Sequence, residues 1–255
     1  MTYCLVGIAA YYLQEKFLFH PEPMHAEATF KFASPFREVD VRHDNKTKYN
    51  IVQFTVPGSA CRGVVLYFHG NKDNIGRYAF AAPYITKHGY EVWMVDYPGF
   101  GKSTGPLNEQ VLYDEALMVY KMARARFSPD SIIIYGRSLG TGIASQLASI
   151  RDCKRLILET PYYSLTSLAK TYLWMYPVDR MLKYKLPTNE YLADVTAPVS
   201  VFHGTGDRVI SYSNAAHLKE VLKPGDEFIT IAGGNHNNLM KYKLMTSKLD
   251  SILSR

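Results

Sequence analysis

Cysteine is scarce in this chain of 255 residues, which has three, at positions 4, 61 and 153. An odd number of cysteines at such wide spacing offers neither a disulfide framework nor the paired cysteines of a zinc knuckle. A chain of this length can bury a large core without such crosslinks. We therefore expect a fold stabilised by its hydrophobic core, with no structural metal site. Nothing in the sequence implies a catalytic metal or an organic cofactor.

The sequence also lacks any strong concentration of charge. Lysine and arginine (29) exceed aspartate and glutamate (23), which gives a net charge of +6, but no run of five like charges occurs. Nucleic-acid-binding proteins concentrate positive charge in patches or tails, so we expect no nucleic-acid partner. A modest positive excess is more compatible with an anionic membrane surface.

The N-terminal segment, residues 1–27, has no apolar run that could cross a bilayer, which needs about 20 residues. Its uncharged apolar stretch, residues 3–13, reads YCLVGIAAYYL and has no basic region or cleavage site of a signal peptide. Two interpretations remain open: a first helix packed on the core of a cytoplasmic protein, or the end of a membrane anchor. Tyr11, Tyr12 and Lys16 are of the types that settle at membrane interfaces, which favours membrane association through this segment.

The rest of the chain, residues 28–255, alternates between strand-like and helix-like segments. Residues 28–56 alternate apolar and polar positions, as antiparallel strands do. Later apolar runs such as GVVLYF and SIIIY alternate with amphipathic helical patterns. This order predicts one α/β domain, with a mostly parallel central sheet flanked by helices. Residues 161–198 are too many for an ordinary crossover, so we predict a helical cap there.

The segment Gly136-Arg137-Ser138-Leu139-Gly140 matches the pattern G-x-S-x-G. It follows the apolar strand SIIIY and opens a helical stretch of small residues, which is the context of a nucleophile elbow. The flanking glycines permit a tight turn, and the following helix N-terminus favours negative charge on the reacting oxygen. Ser138 is therefore the predicted nucleophile, rather than a serine that only caps a helix.

A base and an acid follow Ser138 in the order that such an elbow requires. His236 lies in GGNHN, between the last predicted strand and the final helix, and Asp207 lies in HGTGD, directly after another strand. Both loops belong at the carboxyl edge of the sheet. We predict that His236 takes the serine proton and that Asp207 orients its imidazole. The alternative is a turn-forming aspartate and an exposed histidine.

The oxyanion hole is predicted from two backbone N–H groups. The sequence FHGN ends a buried strand and precedes a helix, so its loop belongs at the same sheet edge. The N–H of Asn71 and that of Leu139, the residue after the nucleophile, are the predicted donors. His69 is predicted to be a structural hydrogen-bonding residue rather than a proton carrier.

Taken together, the segments YFHGNKDN, DYPGFGKSTG, GRSLG, HGTGD and GGNH resemble those of the α/β-hydrolase family, over roughly residues 40–253. The closer similarity is to its serine-aminopeptidase-like branch, where some members carry an N-terminal membrane anchor or act on lipid esters or acyl-thioesters. The resemblance implies an α/β-hydrolase fold and a serine hydrolase that cleaves carboxylic ester or acyl-thioester bonds through an acyl-enzyme. The implied substrate is a small-molecule or lipid-like acyl compound. This fold serves many chemistries, so it does not fix the substrate.

Two other functions remain open at this point. An aminopeptidase-like serine peptidase would need a carboxylate to bind the α-ammonium group of its substrate, and Glu159 and Asp179 are the candidates. A non-catalytic binding scaffold would show a damaged triad or oxyanion loop, whereas both are intact in the sequence.

The predicted cap is rich in aromatic residues, which suit the apolar wall of an acyl pocket. Leu168, Tyr172 and Met175 recur at spacings that place them on one helical face. We predict that Tyr172, Trp174 and Met175 bind the acyl chain of the substrate. The alternative is that this face packs onto the sheet.

Overall fold

An eight-stranded sheet forms the centre of the computed structural model, which describes residues 2–255. The strands of the chain are β1 (His20–Pro21), β2 (Phe36–Arg42), β3 (Lys48–Phe54), β4 (Gly63–Phe68), β5 (Lys72–Asp73), β6 (Tyr90–Asp96), β7 (Ile132–Arg137), β8 (Arg155–Glu159), β9 (Val199–Gly204) and β10 (Glu227–Ile231). The order in the main sheet is β10-β9-β8-β7-β4-β6-β3-β2. β2 and β3 pair antiparallel with each other and β3 pairs antiparallel with β6, whereas all other pairs are parallel. The predicted mostly parallel sheet is confirmed.

Helices flank this sheet. Those within the described residues are α1 (Thr2–Leu18), α2 (Ile75–Tyr78), α3 (Ala82–Thr86), α4 (Glu109–Arg124), α5 (Gly140–Ile150), α6 (Leu165–Tyr172), α7 (Val178–Met181), α8 (Thr188–Asp194), α9 (Tyr212–Ala216) and α10 (Lys243–Ser254). α4 and α5 pack against one face, where α4 presents Leu112, Ala116 and Val119 at helical spacing. α2, α3 and α10 pack against the other face. The two apolar clusters sandwich the sheet, as the sequence pattern predicts.

The central strands are buried along their whole length. Every residue of β4, β6 and β7 is buried, and all three sequences are mostly apolar, with continuous apolar runs in β4 (GVVLYF) and β7 (IIIY). Burying one valine, leucine or isoleucine side chain contributes roughly 1.5–3 kcal/mol. These strands therefore form a rigid platform, and the loops at their carboxyl ends are held in fixed relative positions.

The N-terminal segment is attached to one of these loops. Phe19 is buried against Tyr184, with ring centroids 4.9 Å apart. β1 then pairs in parallel with β5, which lies just beyond the end of β4. The N–H of His20 donates to the carbonyl of Asn71 at 2.8 Å. The end of the segment therefore packs on the α/β domain, close to the predicted oxyanion loop.

The predicted cap, residues 161–198, contains α6, α7 and α8. α8 packs against α5 and belongs to the body of the domain. α6 begins with Ser164 as its N-cap: the Ser164 side chain accepts from the N–H of Ser167, and the Ser167 side chain accepts from the N–H of Ser164. α7 lies beside α1, since Gln14 donates to the carbonyl of Met181 at 3.2 Å, and residues of α6 line a groove together with residues of α1. The N-terminal helix thus lies beside the outer half of the insertion.

A buried ion pair joins the ends of β7 and β8. Arg137 Nε lies 3.5 Å from Glu159 Oε1, and both side chains are almost inaccessible to solvent. Tyr135 donates a hydrogen bond of 2.7 Å to the other Glu159 oxygen. Burial alone would lower the pKa of Arg137, but the charge of Glu159 and the nearby tyrosines raise it above its ordinary value, so the guanidinium stays charged. The pair fixes the strand end that carries Ser138.

Breaking this pair from one side should leave an uncompensated buried charge. We expect Arg137→Met or Glu159→Gln alone to lower the free energy of unfolding by about 3–5 kcal/mol. The double variant should lose clearly less than the sum of the two, because neither charge remains. Urea unfolding followed by circular dichroism measures all three. Lys248→Met, which breaks the exposed pair with Glu227, is the control and should cost at most about 1 kcal/mol. Strict additivity of the two buried changes would contradict this account.

Candidate active site

Ser138 lies in a sharp turn between β7 and α5, and its backbone has a positive φ of 51°. The turn requires the two flanking glycines. A Cβ added at Gly136 would lie 2.5 Å from the carbonyl oxygen of Gly140, and one at Gly140 would lie 2.1 Å from that of Phe68. Neither distance is possible for a real side chain. A strained non-glycine residue held in this way is typical of a nucleophile elbow.

The elbow is also held by backbone hydrogen bonds. The N–H of Ser138 donates to the carbonyl of Glu159 at 2.9 Å, on neighbouring strand β8. The carbonyl of Ser138 accepts both from the N–H of Thr141, at 2.9 Å, and from its hydroxyl, at 2.6 Å. These contacts use the polar backbone groups of Ser138 and leave its hydroxyl directed towards His236.

Three side chains from distant parts of the chain meet at this point. His236 Nε2 lies 2.9 Å from Ser138 Oγ, and His236 Nδ1 lies 2.8 Å from Asp207 Oδ2. Asp207 follows β9 and His236 follows β10, so the carboxyl edge of the sheet places both. The structure therefore brings together the three residues predicted to form the triad, at the distances that proton transfer requires.

The Asp207 carboxylate is buried but well supplied with donors. Its Oδ1 accepts from the N–H groups of Val209, at 2.8 Å, and Ile210, at 2.9 Å. Burial alone would raise the pKa of Asp207, but the hydrogen bond and charge of His236 and these two N–H groups lower it below its ordinary value. Asp207 therefore remains ionised at neutral pH and can stabilise an imidazolium at His236.

A second buried imidazole lies behind the triad. His203, in β9, has its Nε2 3.7 Å from Asp207 Oδ2 and its Nδ1 3.1 Å from the carbonyl of Gly204. Burial lowers the pKa of His203, so this ring is neutral. The sequence analysis missed this neighbour, although the spacing of the two residues in HGTGD offered a signal. The His203 ring packs beside the Asp207 carboxylate and adds no second charge to the site.

The loop that carries His236 contacts the nucleophile strand through Arg137. Its guanidinium Nη2 lies 3.4 Å from the carbonyl of His236 and 3.5 Å from the amide oxygen of Asn237. Within the loop, the N–H of Asn235 donates to the side chain of Asn238 at 2.7 Å. The variable residue of the G-x-S-x-G motif thus helps to position the histidine, a role that the motif alone did not reveal.

The predicted oxyanion loop passes beside the nucleophile. A Cβ added at Gly70 would lie 3.5 Å from the Cβ of Ser138, which measures how close the loop comes. The side-chain amide of Asn71 donates to the carbonyl of Leu18 at 2.6 Å, so its backbone N–H is the group left for a substrate. Leu139 begins the first turn of α5, where N–H groups have no partner within the helix. The donor roles of Asn71 and Leu139 remain predictions.

His69 lies in the interior, as expected for a structural residue. Its Nε2 is 3.3 Å from Asp96 Oδ1, and both side chains are fully buried. Its Nδ1 lies 2.7 Å from the carbonyl of Gly70, and its own carbonyl accepts from the hydroxyl of Tyr97 at 2.8 Å. These contacts fix the conformation of the loop that leads to Asn71.

An apolar groove of about 540 Å³ lies between α1 and α6. Sites for small molecules usually have volumes of about 300–1,000 Å³, so this one suits an apolar ligand. Its walls come from both helices and from residues just after α7: Val6, Ala9, Ala10, Leu13, Gln14, Phe17, Leu18, Leu165, Leu168, Ala169, Tyr172, Leu173, Leu182 and Tyr184. Ser138, Asp207 and His236 are not part of these walls, but Leu18 is hydrogen-bonded to Asn71 and so links the groove to the predicted oxyanion loop.

The three residues predicted to bind substrate are distributed unequally. Tyr172 forms part of the groove wall. Trp174 and Met175 lie outside it, with 76% and 56% of their surfaces exposed to solvent. The helical face predicted for Met175 is interrupted, because α6 ends at Tyr172 and the chain turns there. The sequence analysis also missed the contribution of α1, which no local pattern indicates.

Comparison with known proteins places this chain in a family. Residues 59–191, about half of the chain, match the family described as serine aminopeptidase, S33. The α/β-hydrolase domain-containing protein 17C of Xenopus tropicalis is 31% identical over 206 residues, which cover 78% of this chain and 63% of that protein. The human protein of the same name is 30% identical over 201 residues, covering 76% and 58%. The chain therefore spans less than two thirds of the length of these relatives.

Solved structures show the same fold at low sequence identity. An esterase of Pyrococcus furiosus has a TM-score of 0.70 at 16% identity, covering 93% of this chain and 97% of that one. The Est1E protein of Butyrivibrio proteoclasticus, solved with ferulic acid, has a TM-score of 0.67 at 17% identity, covering 85% and 96%. The family match covers the elbow and the loop after β4, and these structures share the surrounding fold. The chain belongs to the serine aminopeptidase S33 family of α/β hydrolases.

Proposed function

We propose that this hydrolase is a serine enzyme that cleaves carboxylic ester or acyl-thioester bonds through a covalent acyl-enzyme. The observation that carries the proposal is the continuous hydrogen-bonded chain from Ser138 Oγ through His236 to Asp207. The hydrogen-bonded chain starts at Ser138, whose backbone is strained, and strained residues of this kind cluster at active sites. This arrangement is the recurring solution for acyl transfer.

In the first half-reaction, the Ser138 hydroxyl attacks the acyl carbon while His236 Nε2 accepts its proton. The ionised Asp207 stabilises the imidazolium that forms, and it holds Nδ1–H in place through the 2.8 Å contact. Negative charge develops on the former carbonyl oxygen, and the N–H groups of Asn71 and Leu139 bind it. The imidazolium then donates its proton to the departing alcohol or thiol. The acyl group remains bound to Ser138 as an ester.

In the second half-reaction, water replaces the leaving group. His236 accepts a proton from this water as its oxygen attacks the acyl-serine carbon. The same oxyanion donors bind the second tetrahedral intermediate. Its collapse releases the carboxylic acid, and the proton returns from His236 to Ser138 Oγ.

Two observations favour this activity over the alternatives. An aminopeptidase needs a carboxylate for the α-ammonium group, but Glu159 is buried against Arg137, and Asp179 is exposed and paired with Lys170 at 2.8 Å. Neither candidate is available at the nucleophile. A binding scaffold would not need a complete triad, and the strain at Ser138 would serve no purpose in it.

The apolar groove between α1 and α6 is the proposed site for the acyl chain. It is almost entirely apolar in character, with Gln14 as its one amide side chain, and it contacts the oxyanion loop through Leu18. A lipid-like acyl substrate fits such walls, because each buried methylene contributes about 0.8 kcal/mol. The proposed acyl site therefore includes only part of the predicted cap, and it also includes one face of α1.

The triad assignment makes a direct kinetic prediction. Ser138→Ala should abolish labelling by a fluorophosphonate probe, and Asp207→Asn should lower kcat for a soluble acetyl ester by about 10⁴-fold, because the imidazole loses its orienting charge. Steady-state kinetics and in-gel fluorescence measure the two effects. Asp250→Asn, which changes a surface carboxylate paired with Lys87, is the control and should behave as wild type. Undiminished labelling of Ser138→Ala would show that another residue is the nucleophile.

The groove assignment predicts a change in chain-length preference. Ala169→Phe should fill the groove and lower the octanoyl-to-acetyl ratio of kcat/KM at least about tenfold, since contacts to two or more methylenes are lost. Thr171→Phe, an exposed position on the same helix outside the walls, is the matched control. Trp174→Ala should also leave the ratio unchanged. If Trp174→Ala shifts the ratio and Ala169→Phe does not, the acyl chain binds elsewhere.

A further inference from the structure

The exposed apolar side chains of this protein are concentrated in one region. Of the fifteen large hydrophobic side chains that are exposed among the described residues, eleven lie on α1 or in residues 172–175. On α1 they are Tyr3, Leu5, Val6, Ile8, Tyr11, Tyr12, Leu13 and Phe17, and at and after the end of α6 they are Tyr172, Trp174 and Met175. The remaining four are scattered over the rest of the chain. A concentration of this kind marks an interaction surface.

Direct contacts join these two elements into one surface. The rings of Tyr3 and Tyr176 stack with centroids 4.5 Å apart. The hydroxyl of Tyr3 donates to the carbonyl of Met175 at 2.8 Å, and that of Tyr176 donates to the carbonyl of Tyr3 at 3.0 Å. At the other end of α1, the N–H of Lys183 donates to the side chain of Gln14 at 2.8 Å. We call α1 together with residues 172–175 the apolar face.

The composition of α1 is unusual for a helix that packs on a protein by one side only. Its charged residues are Glu15 and Lys16, both in the last turn, and residues 3–13 carry apolar or aromatic side chains on all sides of the helix. A helix that is apolar all round is normally covered on every side. The side of α1 that faces away from α6 has no cover within the described part of the chain. No helix there is long and apolar enough to cross a membrane.

Positive charge lies on the same elements. α1 and residues 165–185 contain five basic and two acidic residues, a net charge of +3. The two acidic residues are already paired, Glu15 with Lys183 and Asp179 with Lys170. Lys16, Arg180 and Lys185 are exposed, and no ion pair involves them among residues 2–255. Apolar and aromatic side chains accompanied by basic ones are complementary to the surface of an anionic bilayer.

We propose that the apolar face docks on the surface of anionic lipid bilayers, with Trp174 and the exposed side chains of α1 in the headgroup region. Tyrosine and tryptophan favour this depth, because their rings are apolar and their polar atoms reach water. Lys16, Arg180 and Lys185 contact the anionic headgroups. The acyl groove lies between α1 and α6, so docking brings the groove to the lipid.

The test is co-sedimentation of the full chain with two kinds of vesicle, phosphatidylcholine alone and phosphatidylcholine containing phosphatidylglycerol. Wild type should bind the anionic vesicles more tightly, and added salt should weaken that binding. Ile8→Ser and Trp174→Ser should each weaken binding about tenfold or more, because each removes a large buried side chain from the lipid. Leu244→Ser, an exposed leucine on α10 outside the face, is the matched control and should leave binding unchanged.

The charge contribution is tested separately. Lys16→Gln and Lys185→Gln should each weaken binding to the anionic vesicles about fivefold and leave binding to neutral vesicles unchanged. Lys243→Gln, at an exposed position on α10, is the control. Thermal melts and hydrolysis of a soluble acetyl ester, measured for every variant, establish that the fold and the triad are unaffected.

Vesicle binding is measured independently of hydrolysis, so a negative result would leave the proposed hydrolase function unaffected. Equal loss of binding in Trp174→Ser and Leu244→Ser would overturn the proposal. So would a wild-type protein that binds neither vesicle. A wild-type dimer that Trp174→Ser converts to a monomer, without vesicle binding, would identify the apolar face as an interface between copies of this chain.

Discussion

The backbone of Ser138 is the constraint on which the rest of the site depends. A serine with φ of 51° is strained by roughly 1–3 kcal/mol and persists only where its surroundings leave no alternative. Here the carbonyls of Phe68 and Gly140 exclude any side chain at the flanking glycines. The N–H of Ser138 is bound to Glu159 on the neighbouring strand. The buried strands β4, β7 and β8 thus hold Ser138 in its strained conformation and direct its hydroxyl towards His236.

Electrostatic contacts connect these strands to the two loops that carry Asp207 and His236. Arg137 binds Glu159 on one side and the His236 loop on the other. Asp207 is kept ionised by His236 and by two backbone donors, while the neighbouring His203 stays neutral because it is buried. Besides the Arg137–Glu159 pair, the site therefore has one negative charge, that of Asp207, next to the histidine that becomes an imidazolium in the proposed mechanism. We attribute the proposed reactivity to this preorganised arrangement rather than to any single residue.

Much of this could be predicted from the sequence because the relevant signals are local. Several buried strands contain continuous apolar runs, the elbow has its glycines at fixed offsets, and Ser138, Asp207 and His236 occur in the order that the fold requires. These patterns gave the fold and the family correctly, and both are confirmed. The catalytic roles of the three residues, and the oxyanion donors, remain predictions that the geometry supports.

The features that the sequence could not predict depend on the direction of side chains in three dimensions. Trp174 resembles a pocket residue in the sequence, but α6 ends before it and turns it towards solvent. The apolar run of α1 is compatible with a core helix, a membrane anchor or a groove wall, and only its contacts with Tyr176 and Met181 reveal where it packs. Likewise, Arg137 occupies a variable position of the G-x-S-x-G motif, so the motif predicts no role for its side chain. Its role emerges only when the His236 loop, 99 residues away, is placed beside it.

The central claim is that the acyl group passes through a covalent ester on Ser138. Rapid acid quenching during turnover of an activated octanoyl ester, followed by digestion and peptide mass spectrometry, tests this most directly. The account predicts an octanoyl group on the peptide that contains Ser138, with fragmentation placing it on that serine, and its decay at the rate of turnover. Hydrolysis without any acylated peptide, or acylation of a different residue at the turnover rate, would contradict the account.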